Sequence, residues 1–337
     1  MIQSETTRQP KDWQFPKPYS MGKIALIIVA FLVIAYTGKR VEMDRAAAMT
    51  ADAVAYVAGQ RADSQVAQGL GGLVKQLFPL VLEERTETSR IEHFDRAHLP
   101  PFSHIETTET KVETLNPDTY QMDASVERTE FLVEPYGYVV RVALKLVETL
   151  EIALWGTLIA VILGAPLAIF GARNLTPNTL AYIVSRGIVS LFRAVPELIS
   201  ALFLVLAYGF GPIAGVLALA FYGAGFLGKF YADDMENADI KPQEALRAIG
   251  ANRLKILGFA ILPQVMPQYI AYTLYVLDRN MRMAMVIGLV GAGGIGQELK
   301  GRYDMYNYGH VGTILVGIFL LVLILEQVSN RLRRIYL

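Results

Sequence analysis

Apolar residues in this chain come in long runs, and the polar stretches between them set the boundaries. Ile24 to Tyr36 is one such run; with its flanks it reaches the roughly 20 residues a helix needs to cross a bilayer, so one span is expected over 19–38. From Lys39 to Pro135 the chain is soluble in character. The stretch MDRAAAMTADAVAYVAGQRADSQVAQGLGGLVKQLFPLVLEE predicts a helix, followed by a polar segment rich in threonine and glutamate. After Pro135 the apolar density rises, and runs at 138–170, 177–207, 209–227, 262–287 and 308–329 predict five more spans. The expected fold is an all-α membrane protein of about six transmembrane helices, one amino-terminal and five in a carboxy-terminal core, with a soluble insertion. Its expected parts are a polar cytoplasmic segment at 1–18, a span at 19–38, an extracytoplasmic acidic module at 39–135 and a membrane core at 136–337 containing a charged cytoplasmic loop at 229–262.

Composition supports a membrane class: 53% of the 337 residues are hydrophobic, 18% are charged and the mean hydropathy is +0.36. Without cysteine there is no disulfide framework, thiolate nucleophile or Cys-ligated metal. The formal net charge is zero but segregated: Lys39 to Glu134 holds 17 acidic and 10 basic residues, net −7, which leaves +7 elsewhere. The positive-inside bias then puts both termini and the 229–262 loop in the cytoplasm and the acidic module outside. The first run is read as a retained span, because its polar leader is long and AYTGKRVEM lacks a small-residue cleavage site.

Two motifs look like nucleotide sites. In VGAGGIG, Gly291, Gly293 and Gly296 keep the spacing of a dinucleotide fingerprint, but they follow an apolar span and no βαβ unit surrounds them. Such glycines, with Gly294, are expected to serve close helix approach or backbone lining a pathway. In GAGFLGKF, Phe230 stands where a P-loop needs Ser or Thr to hold magnesium. ATP and magnesium are therefore expected on a partner, with no cofactor bound directly. His93, His98 and His104 lie five and six residues apart, which matches no compact metal loop, and they are read as loop histidines. No hydrolase constellation and no nucleic-acid signature emerges.

The most informative stretch is DDMENADIKPQEALRAIGANRLKILGFAILPQVMP. Pro242 suits a first helical turn and Gly250 the left-handed position past a helix end, which predicts a short helix over 242–249; Asn252 can cap a second one. Glu244 and Ala245 offer a carboxylate and a small contact to a docking partner. This segment, with Arg247, resembles the EAA coupling loop of ABC importer permeases. FRAVPELISALFLVLAYGFGPIAGVLALAFYGAGFLGKFYADDMEN before it and YTLYVLDRNMRMAMVIGLVGAGGIGQEL after it are similar to the phosphonate importer permease family. The resemblance covers about 136–337 and leaves the acidic module unassigned. It implies a homodimer in the bacterial inner membrane whose coupling helices, one per permease, contact a separate ATPase dimer. An extracytoplasmic binding protein would deliver a phosphonate or a related oxyanion such as phosphite or phosphate. Docking by Glu244, Ala245, Arg247, Gly250 and Asn252 would convert ATP-driven closure into alternating access. Import of another solute such as methionine, or a sensor or scaffold role, are the alternatives.

Charges inside spans mark candidate pathway residues. Asp278 and Arg282, four apart, can form an ion pair, which leaves Arg279 over; either arginine could attract substrate oxygens, and Arg282 matches the family's arginine ahead of the glycine segment. Arg193, Pro196 and Glu197 lie within the 177–207 span, where the proline can kink the helix and Arg193 and Glu197 can neutralise each other.

Overall fold

The computed structural model describes residues 21–92, 94–96, 98–115 and 122–336. They divide into two compact units, one up to Lys75 and one from Gln76 onward.

The first unit opens with helix α1, Met21–Arg40, whose 20 residues span about 30 Å at 1.5 Å per residue. Lys39 and Arg40 close its last turn. Helices α2 (Met43–Val57) and α3 (Gln65–Leu77) follow where the sequence predicts one long helix. The interruption has a local cause. Gly59 takes φ +73°, and the bonds from Gly59 N to Tyr56 O (3.0 Å) and from Gln60 N to Ala55 O (2.8 Å) form the paired closure that ends a helix at a left-handed glycine.

In the second unit, the polar stretch rich in threonine and glutamate forms an antiparallel sheet that its sequence does not predict. Strands β1 (Glu84–Glu87), β2 (His104–Leu115) and β3 (Met122–Glu134) lie in the order β1-β3-β2, with His104 opposite Val133 and Leu115 opposite Met122. Its base is anchored: Leu132 and Val133 are buried, and Thr313 donates to Val81 O at 2.6 Å.

Two residues after β3 the chain enters α4 (Gly137–Gly171), 35 residues or about 52 Å long, which exceeds a hydrocarbon core of about 30 Å. Ala153, Gly156, Ala160, Gly164 and Ala168 form a small-residue stripe along it. That stripe lets α7 (Pro212–Asn237) approach at backbone distance: a Cβ at Gly156 would lie 2.9 Å from Leu219 Cβ, and one at Gly223 would lie 2.7 Å from Ala160 Cβ. Between them, α5 (Thr179–Ala194) and α6 (Glu197–Tyr208) meet at 93°, so Pro196 produces a full break in the 177–207 span. Beyond α7 come α8 (Ile240–Ala248), α9 (Arg253–Ile256), a π-helical turn at Leu257–Ile261, α10 (Leu262–Gly288), α11 (Gly294–Asp304) and α12 (Tyr308–Tyr336). Among the described residues five helices are long and apolar enough to cross a membrane, or six if α5 and α6 form one broken span.

Candidate functional site

The charged loop folds as a helix fixed at both ends. Asp239 accepts from Lys241 N at 3.0 Å and caps the start of α8, while its own N–H donates to Gln264 Oε1 of α10 at 2.9 Å. Gln243 is buried and its amide bonds back to the carbonyls of Ala238 and Asp239, both at 3.2 Å. At the far end Gly250 has φ +77°; Gly250 N bonds Arg247 O and Ala251 N bonds Leu246 O, each at 3.0 Å. Asn252 then caps α9 by accepting from Lys255 N at 2.9 Å. With its backbone ends satisfied, α8 leaves Glu244, Ala245, Arg247, Gly250 and Asn252 exposed. Ile249 and Leu254 beside them are 78% and 74% exposed, an apolar contact surface rimmed by charge.

The loop is braced by an ion network whose partners lie too far apart in the chain for local spacing to pair them. Arg186 donates to Asp233 (2.7 Å), Glu236 (3.2 Å) and Gly171 O (2.8 Å), joining the ends of α4, α5 and α7. Arg173 N donates to Glu236 at 2.9 Å, and the Tyr182 ring faces both the Arg173 and the Arg186 guanidinium. Arg253 reaches back to Thr176 O at 2.9 Å. The signal was the acid-rich ADDMEN run opposite two loop arginines.

Within the membrane-spanning core, Asp278 and Arg282 form the expected pair, with two contacts of 2.6 and 3.3 Å. Arg279 is not left over: it forms an ion pair with Glu197, and its guanidinium sits 4.0 Å from the centre of the Tyr222 ring. This corrects the pairing of Arg193 with Glu197. The i,i+4 neighbourhood exists only along a continuous helix, and the bend at Pro196 swings Glu197 toward α10. Arg193 packs its stem near Gly225. On the same helix, fully buried Asn280 donates to Thr157 of α4 at 2.9 Å, a partner 123 positions away that local periodicity does not point to.

The glycine motif closes α10 and opens α11. Gly291, at φ +91°, ends α10 by the same paired closure as Gly250. Gly293 and Gly294 also have positive φ, +84° and +70°, and a Cβ at Gly288 would meet Gly296 Cα at 2.8 Å. The first N–H groups of α11 do face an anion, as the motif suggests, but it is the protein's own. Gly294 N donates to Glu148 Oε1 at 3.0 Å, and Ile295 N donates to Thr149 Oγ1 at 2.8 Å.

In the sheet-bearing region His98 bonds Asp95 at 2.8 Å and His104 begins β2, while His93 lies outside the described residues.

Four long apolar helices, α4, α7, α10 and α12, the broken α5–α6 pair and the capped, exposed helix α8 between α7 and α10 make up the helical core. The inward-facing MetNI methionine ABC transporter has a chain of this fold: TM-score 0.50 at 23% identity, over 58% of this chain and 96% of that one. The family model of binding-protein-dependent transport system inner membrane components matches residues 160–335, and the chain belongs to that family. It is similar to the putative phosphite transport system permease protein HtxE of Stutzerimonas stutzeri, 56% identical over 257 residues, covering 76% of this chain and 98% of that protein. It is also similar to the phosphate-import permease protein PhnE of Mycolicibacterium smegmatis, 40% identical over 197 residues, 58% of this chain and 37% of the relative. It is thus a multi-pass inner-membrane permease subunit, not itself an enzyme, and its family works with a separate ATPase and a binding protein.

Proposed function

We propose that this permease imports phosphite or a small phosphonate, with phosphate as a related oxyanion, and works as a homodimer with both termini in the cytoplasm. The observation that carries the substrate class is the 56% identity to a protein named as a phosphite permease over nearly its whole length. The exposed α8 surface is the coupling contact: Glu244 and Arg247 pair with charges on the ATPase, and Ala245 admits the helix into its groove. ATP and magnesium are held by that partner. On the pathway, Arg279 is neutralised by Glu197, whereas Arg282 keeps more than half its side chain exposed and is the cation an oxyanion meets. Asp278 then acts as the internal competitor that keeps the arginine from holding its cargo too tightly. Gly291, Gly293, Gly294 and Gly296 shape the outer gate.

The test is uptake of labelled phosphite and of methylphosphonate into proteoliposomes holding the permease, its ATPase and its binding protein, with ATP on the ATPase side. Uptake that Glu244→Lys abolishes supports coupled import. Hydrolysis stimulated by the binding protein, with neither compound taken up, would overturn the substrate class and keep the coupling.

A further inference from the structure

Helix α11 begins without a cap of its own. Its N-cap position is Gly293, which has no side chain to accept the first N–H groups. Two consecutive residues of α4, each 146 positions before the N–H group it accepts, supply what is missing. The Glu148 carboxylate takes Gly294 N, and the Thr149 hydroxyl takes Ile295 N while donating its own proton to Lys145 O at 2.7 Å. Lys145 Nζ holds the other Glu148 oxygen at 2.6 Å. The turn is gripped on its second side by the α6–α7 connection: Gly211 N donates to Gly291 O at 3.0 Å, and the Phe210 ring lies against Gly291. A Cβ at Gly293 would fall 3.1 Å from Glu148 Oε1 and 3.0 Å from Pro212 N, and one at Gly294 would fall 2.6 Å from Thr149 Oγ1. Glycine is thus required for the backbone to come within reach of these acceptors.

We infer that Glu148 and Thr149 are positioning residues that latch the outer gate shut. The inference rests on the orientation proposed above, in which the 289–293 turn faces outward. Thr149 is 1% exposed and Ala292 0%, so the Thr149 bond is dry and is not exchanged for water while the turn stays seated; the Glu148 side chain is 24% exposed. Moving α11 away from α4 strips the first two N–H groups of a helix, one of them from a carboxylate. The outward-open state must replace both interactions, and the latch therefore sets the resting balance toward the closed gate.

The chain has no cysteine, so Ala292→Cys is a single reporter of the seated turn. In proteoliposomes of the permease with its ATPase, an impermeant maleimide added outside is expected to label this cysteine slowly without nucleotide and quickly after trapping with ATP and vanadate. Adding Thr149→Val or Glu148→Ala should speed nucleotide-free labelling by about tenfold, the scale of one lost hydrogen bond, and raise ATP hydrolysis without binding protein. Thr149→Ser and Glu148→Gln keep an acceptor oxygen and should restore slow labelling. If both Thr149→Val and Glu148→Ala label as slowly as the parent, the latch is overturned. Labelling only by reagent sealed inside the vesicles overturns the orientation instead. Should Thr149→Val fail to assemble, Glu148→Ala, at a partly exposed position, decides.

Discussion

The chain ends a helix with the same glycine closure at Gly250 after α8 and at Gly291 after α10, and the surroundings make them different devices. Around Gly250 nothing lies within 4 Å of an added Cβ, so glycine is needed there only for its φ of +77°. Around Gly291 to Gly296 the backbone is pressed against α4, α10 and the α6–α7 connection on every side. One glycine shapes an exposed surface, the proposed coupling contact; the others remove volume so that parts of this protein can touch. An exposed closure tolerates change and a clamped one does not.

The largest expected effect breaks the clamped side. Gly296→Val puts a branched side chain where even a Cβ would lie 2.9 Å from Gly288 Cα, and it should cost about 4 kcal/mol or more. The check is recovery of monodisperse permease–ATPase complex after extraction; ordinary yield would show that α10 and α11 can spread. Next is Glu197→Ala, which strands Arg279 in a largely buried place at about 3 kcal/mol, with Glu197→Ala/Arg279→Met regaining most of it. Thermal unfolding in detergent measures both, and a double variant no better than the single one would show the pair to be independent.

On the coupling side effects fall mainly on transport. Arg186→Met removes three hydrogen bonds from the brace and should cost about 2 kcal/mol while lowering uptake per ATP hydrolysed. Unchanged coupling would reduce the network to a structural tie. Smaller again, Gly250→Asn should melt within about 1 kcal/mol of the parent and still couple, because asparagine enters the left-handed region readily; Gly250→Leu, which adds bulk to the docking face, should couple poorly. Equal uptake by the two would remove docking from the role of Gly250.

The smallest effect is a pH dependence at the base of the sheet. Burial raises the Glu84 carboxyl above its usual range, opposed by Arg141. A group whose folded value is raised stabilises fully below the unfolded carboxylate value and loses that contribution as pH climbs through the folded one. Wild type should therefore lose stability relative to Glu84→Gln as pH rises from about 4.3, until the folded group has ionised. A flat difference between their melting curves from acid to neutral pH would contradict it.

Much of this was legible along the chain because it depends on near neighbours. Apolar runs set the spans through the length of the hydrocarbon core, and Gly250, Asn252 and the exposed helix between Pro242 and Gly250 follow from capping within a few residues. The Asp278–Arg282 pair follows from one turn of helix. The sheet escaped because HIETTETKVETL holds few apolar residues and the alternating run in β3, MDASVE, is short; the break after α2 escaped because one helical glycine is a weak stop until its φ is known. Tertiary structure alone decided the rest. Glu197 meets Arg279 only after a 93° bend, Asn280 meets Thr157 across 123 positions, and Glu148 and Thr149 reach the N-terminus of α11 across 146. Such partners are chosen by which faces small residues allow to touch, and that depends on how whole helices are stacked, which local periodicity does not encode.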